Sequence, residues 1–431
     1  MDFAITSLLA HEILDSRGHP TLEVECSLSC GIVARASVPS GASKGTREAM
    51  ELRDGETGRY SGLGVEKAID SVNGELAILL FEADVRDQAG IDNRMIELDG
   101  TPDKSRLGAN AMLGVSMAVC RAAAMSVKLP LYQYIGGISA NRLPVPCMNI
   151  INGGVHARWQ GADFQEFMIA PYGADTFRDA VRWGSEIYQA LKSILLEKHY
   201  HCAVGDEGGF APSVSSNQEP LDLILAAIEK VGLSPGKDVG ICMDPASSEF
   251  FKDEKYHLRT EKKVLSSAEM VSYYAQLVKN YPICLLEDGL SESDWGGWAA
   301  LNNELGDAIE IVGDDIFVTN VEYIARGIEE NLANSALIKL NQIGTLTETV
   351  DAVHLCQSCG WGAFVSHRSG ETIDSFIADM TVALGTGHLK AGAPCRGERV
   401  EKYNQLMRIE DELGDMAEFA GRDAFVRPIE W

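Results

Sequence analysis

The hydrophobic pattern changes rhythm once along the chain. Across residues 4–13 and 21–29, apolar and polar positions alternate, the period of a half-buried strand. Between them, Asp15-Ser16-Arg17-Gly18-His19-Pro20 is a turn cluster. A third strand-like run over residues 31–39 leads into a small-residue loop, Ser40-Gly41-Ala42-Ser43-Lys44-Gly45. Apolar residues then recur at helical spacing over residues 64–82 and 109–127. Pro130, Gly136, Gly137, Pro144 and Pro146 break this pattern. The domain boundary is placed there, giving an N-terminal α+β capping domain over residues 1–130 and a second domain over residues 140–431.

In the second domain, short apolar runs alternate with longer helical patterns, as in a parallel sheet with crossover helices. The runs share a shape: apolar residues, then a charged one. Ala203-Val204 leads into Gly205-Asp206-Glu207, residues 239–243 into Asp244, and residues 283–286 into Glu287-Asp288. Residues 309–313 lead into Asp314-Asp315, 336–338 into Lys339, and 363–366 into His367-Arg368. From Asp244 onward the spacing is close to one strand-helix unit. Two earlier runs, 145–151 and 164–170, bring the count to eight. Eight strands with polar C-terminal ends predict a (β/α)8 barrel of the α/β class. A doubly wound sheet would carry a glycine-rich phosphate turn after its first strand, and the first run of this region lacks one.

Composition narrows the function. The chain has 431 residues, 45% hydrophobic, enough for a large core. No apolar run reaches the roughly 18 residues needed to cross a bilayer; the best, residues 109–125, is broken by Arg121. The first residues lack the shape of a signal peptide, so a cytoplasmic location is expected. A formal net charge of -26 argues against binding nucleic acid or anionic membranes. An anion site would need a few local cations or a bound metal. Ten cysteines are sparse for this length. Cys202, Cys242 and Cys284 lie in apolar runs, as small hydrophobes do. Cys356 and Cys359 form a C-x-x-C without a second pair, which reads as idle thiols rather than a zinc site.

The charged strand ends carry the chemistry. A shared barrel mouth would gather Asp244, Glu287 and Asp314, three carboxylates without His or Cys, a donor set suited to Mg²⁺. Carboxylates packed together without a cation repel or take up protons. Lys339 ends another apolar run; partly dehydrated near a bound cation, its neutral form is favoured and it could act as a base. Glu207, between glycines, could be a general acid or base, or a turn cap. Ser366-His367-Arg368-Ser369-Gly370-Glu371 offers a guanidinium, a hydroxyl and backbone N–H groups for a phosphate. Lys390 lies in a later stretch, His388-Leu389-Lys390-Ala391-Gly392.

These segments, taken in order, resemble the enolase family over essentially the whole chain. The resemblance rests on Glu12-Ile13-Leu14-Asp15-Ser16-Arg17-Gly18, Met148-Asn149-Ile150-Ile151-Asn152-Gly153-Gly154, Gln165-Glu166-Phe167-Met168-Ile169, Gly205-Asp206-Glu207-Gly208-Gly209-Phe210, Leu286-Glu287-Asp288-Gly289, Ile338-Lys339-Leu340-Asn341-Gln342, Ser366-His367-Arg368-Ser369-Gly370-Glu371 and Lys402-Tyr403-Asn404-Gln405. It implies a capping domain followed by a barrel with a modified first part, and interconversion of 2-phosphoglycerate and phosphoenolpyruvate. By the same resemblance Asp244, Glu287 and Asp314 would hold one Mg²⁺, and Ser43 would help hold a second that arrives with substrate. Lys339 would remove the C2 proton. Glu207 would protonate the departing hydroxyl, supported by Glu166. Gln165, Arg368, Ser369 and Lys390 would bind substrate, and His156 and His367 would line the site. A homodimer or larger homo-oligomer is also implied.

The chain departs from the family pattern at Lys44, at Val155, at Arg158-Trp159-Gln160 and at Pro245, none of them a residue assigned to chemistry. Two other readings share some of these features. An acid-sugar dehydratase or racemase would also abstract a proton beside a carboxylate, but has no use for a phosphate-directed segment. A binding protein finds no positive feature in the sequence.

Overall fold

The computed structural model describes residues 3–42 and 45–429. Three strands, β1 (Ile5–Leu14), β2 (Pro20–Leu28) and β3 (Val33–Ser37), form an antiparallel meander. Helix α1 (Gln88–Asp99) and helix α2 (Ala109–Ser126) complete the cap with shorter helical turns. The sequence pattern did not mark α1, whose apolar stripe is weak; Asp87 caps it by accepting from Gly90 N. The run over residues 64–82 forms as helical turns interrupted by a π-helical segment, Val72–Leu76. Helix α2 is buried almost throughout. A Cβ on Gly114 would lie 2.6 Å from Val24 Cγ2, so the glycine lets α2 sit directly on the sheet. Arg121, the charge in this apolar helix, forks onto Asp374 with two contacts of 2.6 Å and ties the cap to the second unit.

That second unit is a closed eight-stranded barrel. Its strands are β4 (Val145–Asn152), β5 (Glu166–Ala170), β6 (Gly240–Asp244), β7 (Ile283–Glu287), β8 (Glu310–Gly313), β9 (Ser335–Ile338), β10 (Gly362–Ser366) and β11 (His388–Lys390). Two expectations are corrected here. Ala203-Val204 is not a barrel strand: Val204 makes a single bridge to Phe210 in a loop and is 42% exposed. Two residues before a glycine are too few to hold a ladder. The missing strand is β11, which closes the barrel between β10 and β4.

The second correction concerns direction. β5 runs antiparallel to both β4 and β6, whereas the remaining neighbours are parallel. Parallel pairing needs a long crossover, usually a helix. Between β4 and β5 there is only a short 3-10 turn, Gly154–Ala157. The chain therefore turns back at the mouth, and Gln165 and Glu166 arrive there at the beginning of a strand, not its end. β5 finishes at the floor and β6 begins at the floor. Two helices, α3 (Phe177–Glu197) and α4 (Glu219–Lys230), fill the gap as an up-and-down pair. The loop joining them passes over the mouth and carries Glu207. Thereafter α5 (Ser267–Asn280), α6 (Trp295–Leu305), α7 (Val321–Glu329), α8 (Leu346–Ser358) and α9 (Phe376–Leu384) alternate with strands, and α10 (Gly397–Leu413) follows β11.

Candidate active site

Every parallel barrel strand ends at the same rim, so β6, β7 and β8 deliver Asp244, Glu287 and Asp314 side by side. β9 is followed by Lys339, β10 by His367, Arg368 and Ser369, and β11 ends on Lys390. One cavity is lined by His156, Gln165, Glu166, Glu207, Asp244, Asp288, Asp314, Asp315, Lys339, His367, Arg368, Ser369 and Lys390. Glu287 lies fully buried at its base, reached through Lys390. All the residues predicted for the site are thus brought together, except Ser43, which lies outside the described residues.

The ammonium groups are clamped by the carboxylates. Lys390 Nζ stands 3.0 Å from Asp244 Oδ2, 2.8 Å from Glu287 Oε2 and 3.0 Å from Glu166 Oε2. Burial alone would strip its proton, but Asp244, Glu166 and Glu287 overcome that and hold it well above the usual lysine range. Lys339 Nζ donates to Asp314 Oδ2 at 2.5 Å. Burial lowers Lys339 and Asp314 raises it; the net direction is upward. The neutral form expected beside a bound cation is opposed here by the Asp314 carboxylate that touches the ammonium. Gln342 Nε2 donates to the other oxygen of Asp314 at 2.8 Å.

Negative charge remains in excess. Burial, with Asp244 as the nearest like charge, holds Glu287 well above the carboxylate range. Burial and Asp315 do the same to Asp288, and burial and Asp314 to Asp315. Asp288, Asp314 and Asp315 each offer an oxygen within 4.8 Å of the others, a grouping able to hold a cation. Asp244 spends Oδ1 on Ala246 N, 2.8 Å away, just past Pro245.

On another side of the cavity, β4 and the α3–α4 loop set up an acid pair. Asn149 Nδ2 donates to Glu207 Oε2 at 3.0 Å. His367 Nε2 lies 3.4 Å from the same oxygen, and His156 Nε2 lies 4.0 Å from Oε1. Burial acts to raise Glu207, but His367 and His156 outweigh it and hold it well below the usual range. Burial and the neighbouring Glu207 push Glu166 the opposite way, well above that range. The two buried carboxyls thus have opposed tendencies, and their titrations are linked.

Arg368 forks onto Glu48 of the cap with contacts of 3.0 Å and reaches Asn341 at 3.0 Å. Ser369 Oγ accepts from Ala42 N at 3.2 Å. The cap thereby fixes the anion-directed segment against the loop that leads into Ser43. The departures Arg158 and Trp159 lie on the β4–β5 connection, where the Trp159 ring stacks 4.1 Å from the Arg259 guanidinium.

Three supporting residues were not foreseen. Asn149 had a signal, a polar residue inside an apolar run. Glu48 and Arg399 had none. Arg399 is fully buried, and its guanidinium reaches His367, the carbonyls of Asp206, Arg368 and Ser369, and the Ser16 hydroxyl.

The comparisons agree with this geometry. A family model described as "Enolase, N-terminal domain" matches residues 5–135, and one described as "Enolase, C-terminal TIM barrel domain" matches residues 140–427. An "Enolase 2" of Pseudomonas syringae pv. syringae (strain B728a) is 60% identical over 427 residues, covering 99% of this chain and 100% of the relative. An "Enolase 2" of Methanospirillum hungatei JF-1 is 60% identical over 425 residues, covering 99% of each chain. An "Enolase 1" of the same organism is 56% identical over the same share.

Proposed function

The chain belongs to the enolase family and is a hydro-lyase, and from that premise we propose how its own residues carry out the reversible dehydration of 2-phosphoglycerate to phosphoenolpyruvate. The observation that carries the reading is the charge imbalance of one mouth: among the described residues, six lining carboxylates, with Glu287 beneath, against Lys339, Arg368 and Lys390. The family implies a divalent metal, and the residues fit one. Their donors are hard oxygens, and Gln165 Oε1, on the cavity wall, is buried without a hydrogen-bond partner among the described residues. Asp244, Glu287 and Asp314 would hold Mg²⁺, and Ser43 would join a second ion. Bound metal supplies positive charge beside the substrate carboxylate, where abstraction of the neighbouring proton places a second negative charge.

Lys339 is the base for the C2 proton. It serves once Asp314 is neutralised by something other than the ammonium, since the remaining influence on it is burial, which favours the neutral amine. Glu207 is the acid for the hydroxyl, because hydroxide leaves poorly without a proton. Glu166 supports it, with an oxygen within 4.8 Å of one on Glu207. Arg368 and Ser369 hold the phosphate, with the guanidinium oriented by Glu48; Gln165, Lys390, His156 and His367 complete the walls. The barrel of residues 140–431 supplies these groups, and the cap of residues 1–130 closes over them. The functional unit is a homodimer or larger homo-oligomer.

The test is phosphoenolpyruvate formation from 2-phosphoglycerate with Mg²⁺, repeated with EDTA. Turnover that EDTA abolishes and added Mg²⁺ restores supports the reading. Turnover indifferent to EDTA would overturn the metal assignment. Activity confined to non-phosphorylated acid sugars would overturn the substrate.

A further inference from the structure

We propose that Arg399 is a positioning residue that fixes the tautomer of His367, and that through this ring it assigns the acid proton of Glu207 to a single oxygen, Oε1. The inference rests on the acid role given to Glu207 above.

A guanidinium has five N–H donors and no acceptor, and it stays protonated in a protein. Arg399 Nη1 lies 2.5 Å from His367 Nδ1. Two donors cannot face each other, so Nδ1 presents its lone pair and the neutral ring carries its proton on Nε2. Nε2–H is the side aimed at Glu207 Oε2, 3.4 Å away. Burial drives His367 down to about 4, against the pull of Glu207; Arg399 reinforces the fall and Glu371 opposes it. The ring is therefore neutral at working pH, and its tautomer, not its charge, is the variable.

Glu207 Oε2 then accepts from Asn149 Nδ2 at 3.0 Å and has the His367 N–H 3.4 Å away, near it but not aligned for a hydrogen bond. A hydroxyl placed on Oε2 would confront both. The proton of the acid form belongs on Oε1, the oxygen turned toward His156. Were His367 in the other tautomer, Nε2 would offer a lone pair to Oε2 and draw the proton there.

Arg399 cannot swing away to relax this. Nη1 also donates to Arg368 O at 2.5 Å, and Nη2 to Ser369 O at 2.6 Å and Asp206 O at 3.2 Å. A Cβ on Gly392 would meet Arg399 Cδ at 2.8 Å, so the glycine leaves the room through which the side chain passes. One buried cation thus joins the loop after β10 to the loop carrying Glu207.

The test reads the tautomer directly. In ¹⁵N-histidine-labelled protein, two-bond nitrogen–proton correlations distinguish Nδ1–H from Nε2–H without substrate or metal. The wild-type His367 should show the pure Nε2–H form. In Arg399→Lys, which keeps a charge but loses the fork, Nδ1–H signal should appear, and kcat should fall about 10- to 100-fold with KM changed less than about threefold, within the range lost with a misplaced general acid. Should Arg399→Lys fail to fold, His367→Gln and His367→Asn replace it. Gln sets its amide where Nε2 stands and should retain at least tenfold more kcat than Asn, which sets its amide where Nδ1 stands. A wild-type Nδ1–H ring, a folded Arg399→Lys protein with an unmixed Nε2–H ring, or equal kcat in the Gln and Asn variants would each overturn the proposal. The spectrum is independent of turnover, so failure of the tautomer assignment is distinguishable from failure of the acid role.

Discussion

The mouth and the floor of the barrel both bury charge, and they treat it differently. At the floor, His388 and Glu310 are fully buried and meet at 2.8 Å. The second oxygen of Glu310 accepts from Val426 N at 3.2 Å, and the imidazole packs on Phe364 and Phe425 with centroids 4.5 and 5.4 Å away. Burial would raise Glu310, but His388 outweighs it and holds it below its ordinary value. Around them lie Cys147, Cys242 and Cys284, and burial pushes Cys147 and Cys242 upward, keeping both as neutral thiols. At the floor one carboxylate faces one imidazole, with no surplus of carboxylates. At the mouth, among the described residues, carboxylates outnumber cations, and burial and mutual repulsion push Glu287, Asp288 and Asp315 well above the usual carboxylate range. Buried charge alone marks structure; unbalanced buried charge marks a place where something else must bind.

The comparison can be broken at either end. Removing the base should give the largest effect. Lys339→Ala is expected to lower kcat by about 10²- to 10⁴-fold, measured by phosphoenolpyruvate formation, with a thermal midpoint close to wild type. Near-normal turnover in a folded variant would end the assignment. The floor should behave in reverse. His388→Leu strands Glu310 without its partner and is expected to cost about 3–5 kcal/mol of stability while sparing kcat of the folded fraction. Chemical denaturation measures the first and steady-state kinetics the second. An unshifted transition would mean that the floor pair is as dispensable as a surface one.

The smallest effect sharpens the comparison through pH. Asp315 is held above its ordinary value by burial and by Asp314. An acid raised in the folded state gives stability that is present below its unfolded value, near about 4, and is lost as pH rises through the folded value. Wild type should lose that stability on going from acid to neutral pH, and Asp315→Asn should not. The gap in thermal midpoint between them should open with pH and reach on the order of 1 kcal/mol in favour of the variant near neutrality. A gap that ignores pH would remove repulsion as the cause.

Much of this was legible along the chain. Asp244, Glu287, Asp314, Lys339 and His367 each follow a run too apolar for a loop, and parallel strands necessarily bring such ends to one rim. Lys390 was legible only as a motif. Its strand is three residues long and begins with a histidine, and that histidine reads as polar until Glu310 is found opposite it. Glu207 was seen as charged but placed at a strand end. It sits instead on a helix-to-helix loop, whose position follows from the reversal of β5. The reversal follows from the short β4–β5 connection, a length that the apolar pattern does not weigh.

The sequence by itself determined most of the element types, the barrel class and the inventory of hard oxygen donors, because apolar periodicity and strand-end charges are local properties. The tertiary structure alone decided the pairings. Lys390 against Glu287, Asn149 against Glu207, Glu48 against Arg368 and Arg399 against His367 join residues far apart in the chain. Whether a buried charge is satisfied or left waiting depends on which partner the fold sets opposite it, and a one-dimensional pattern does not contain that distance.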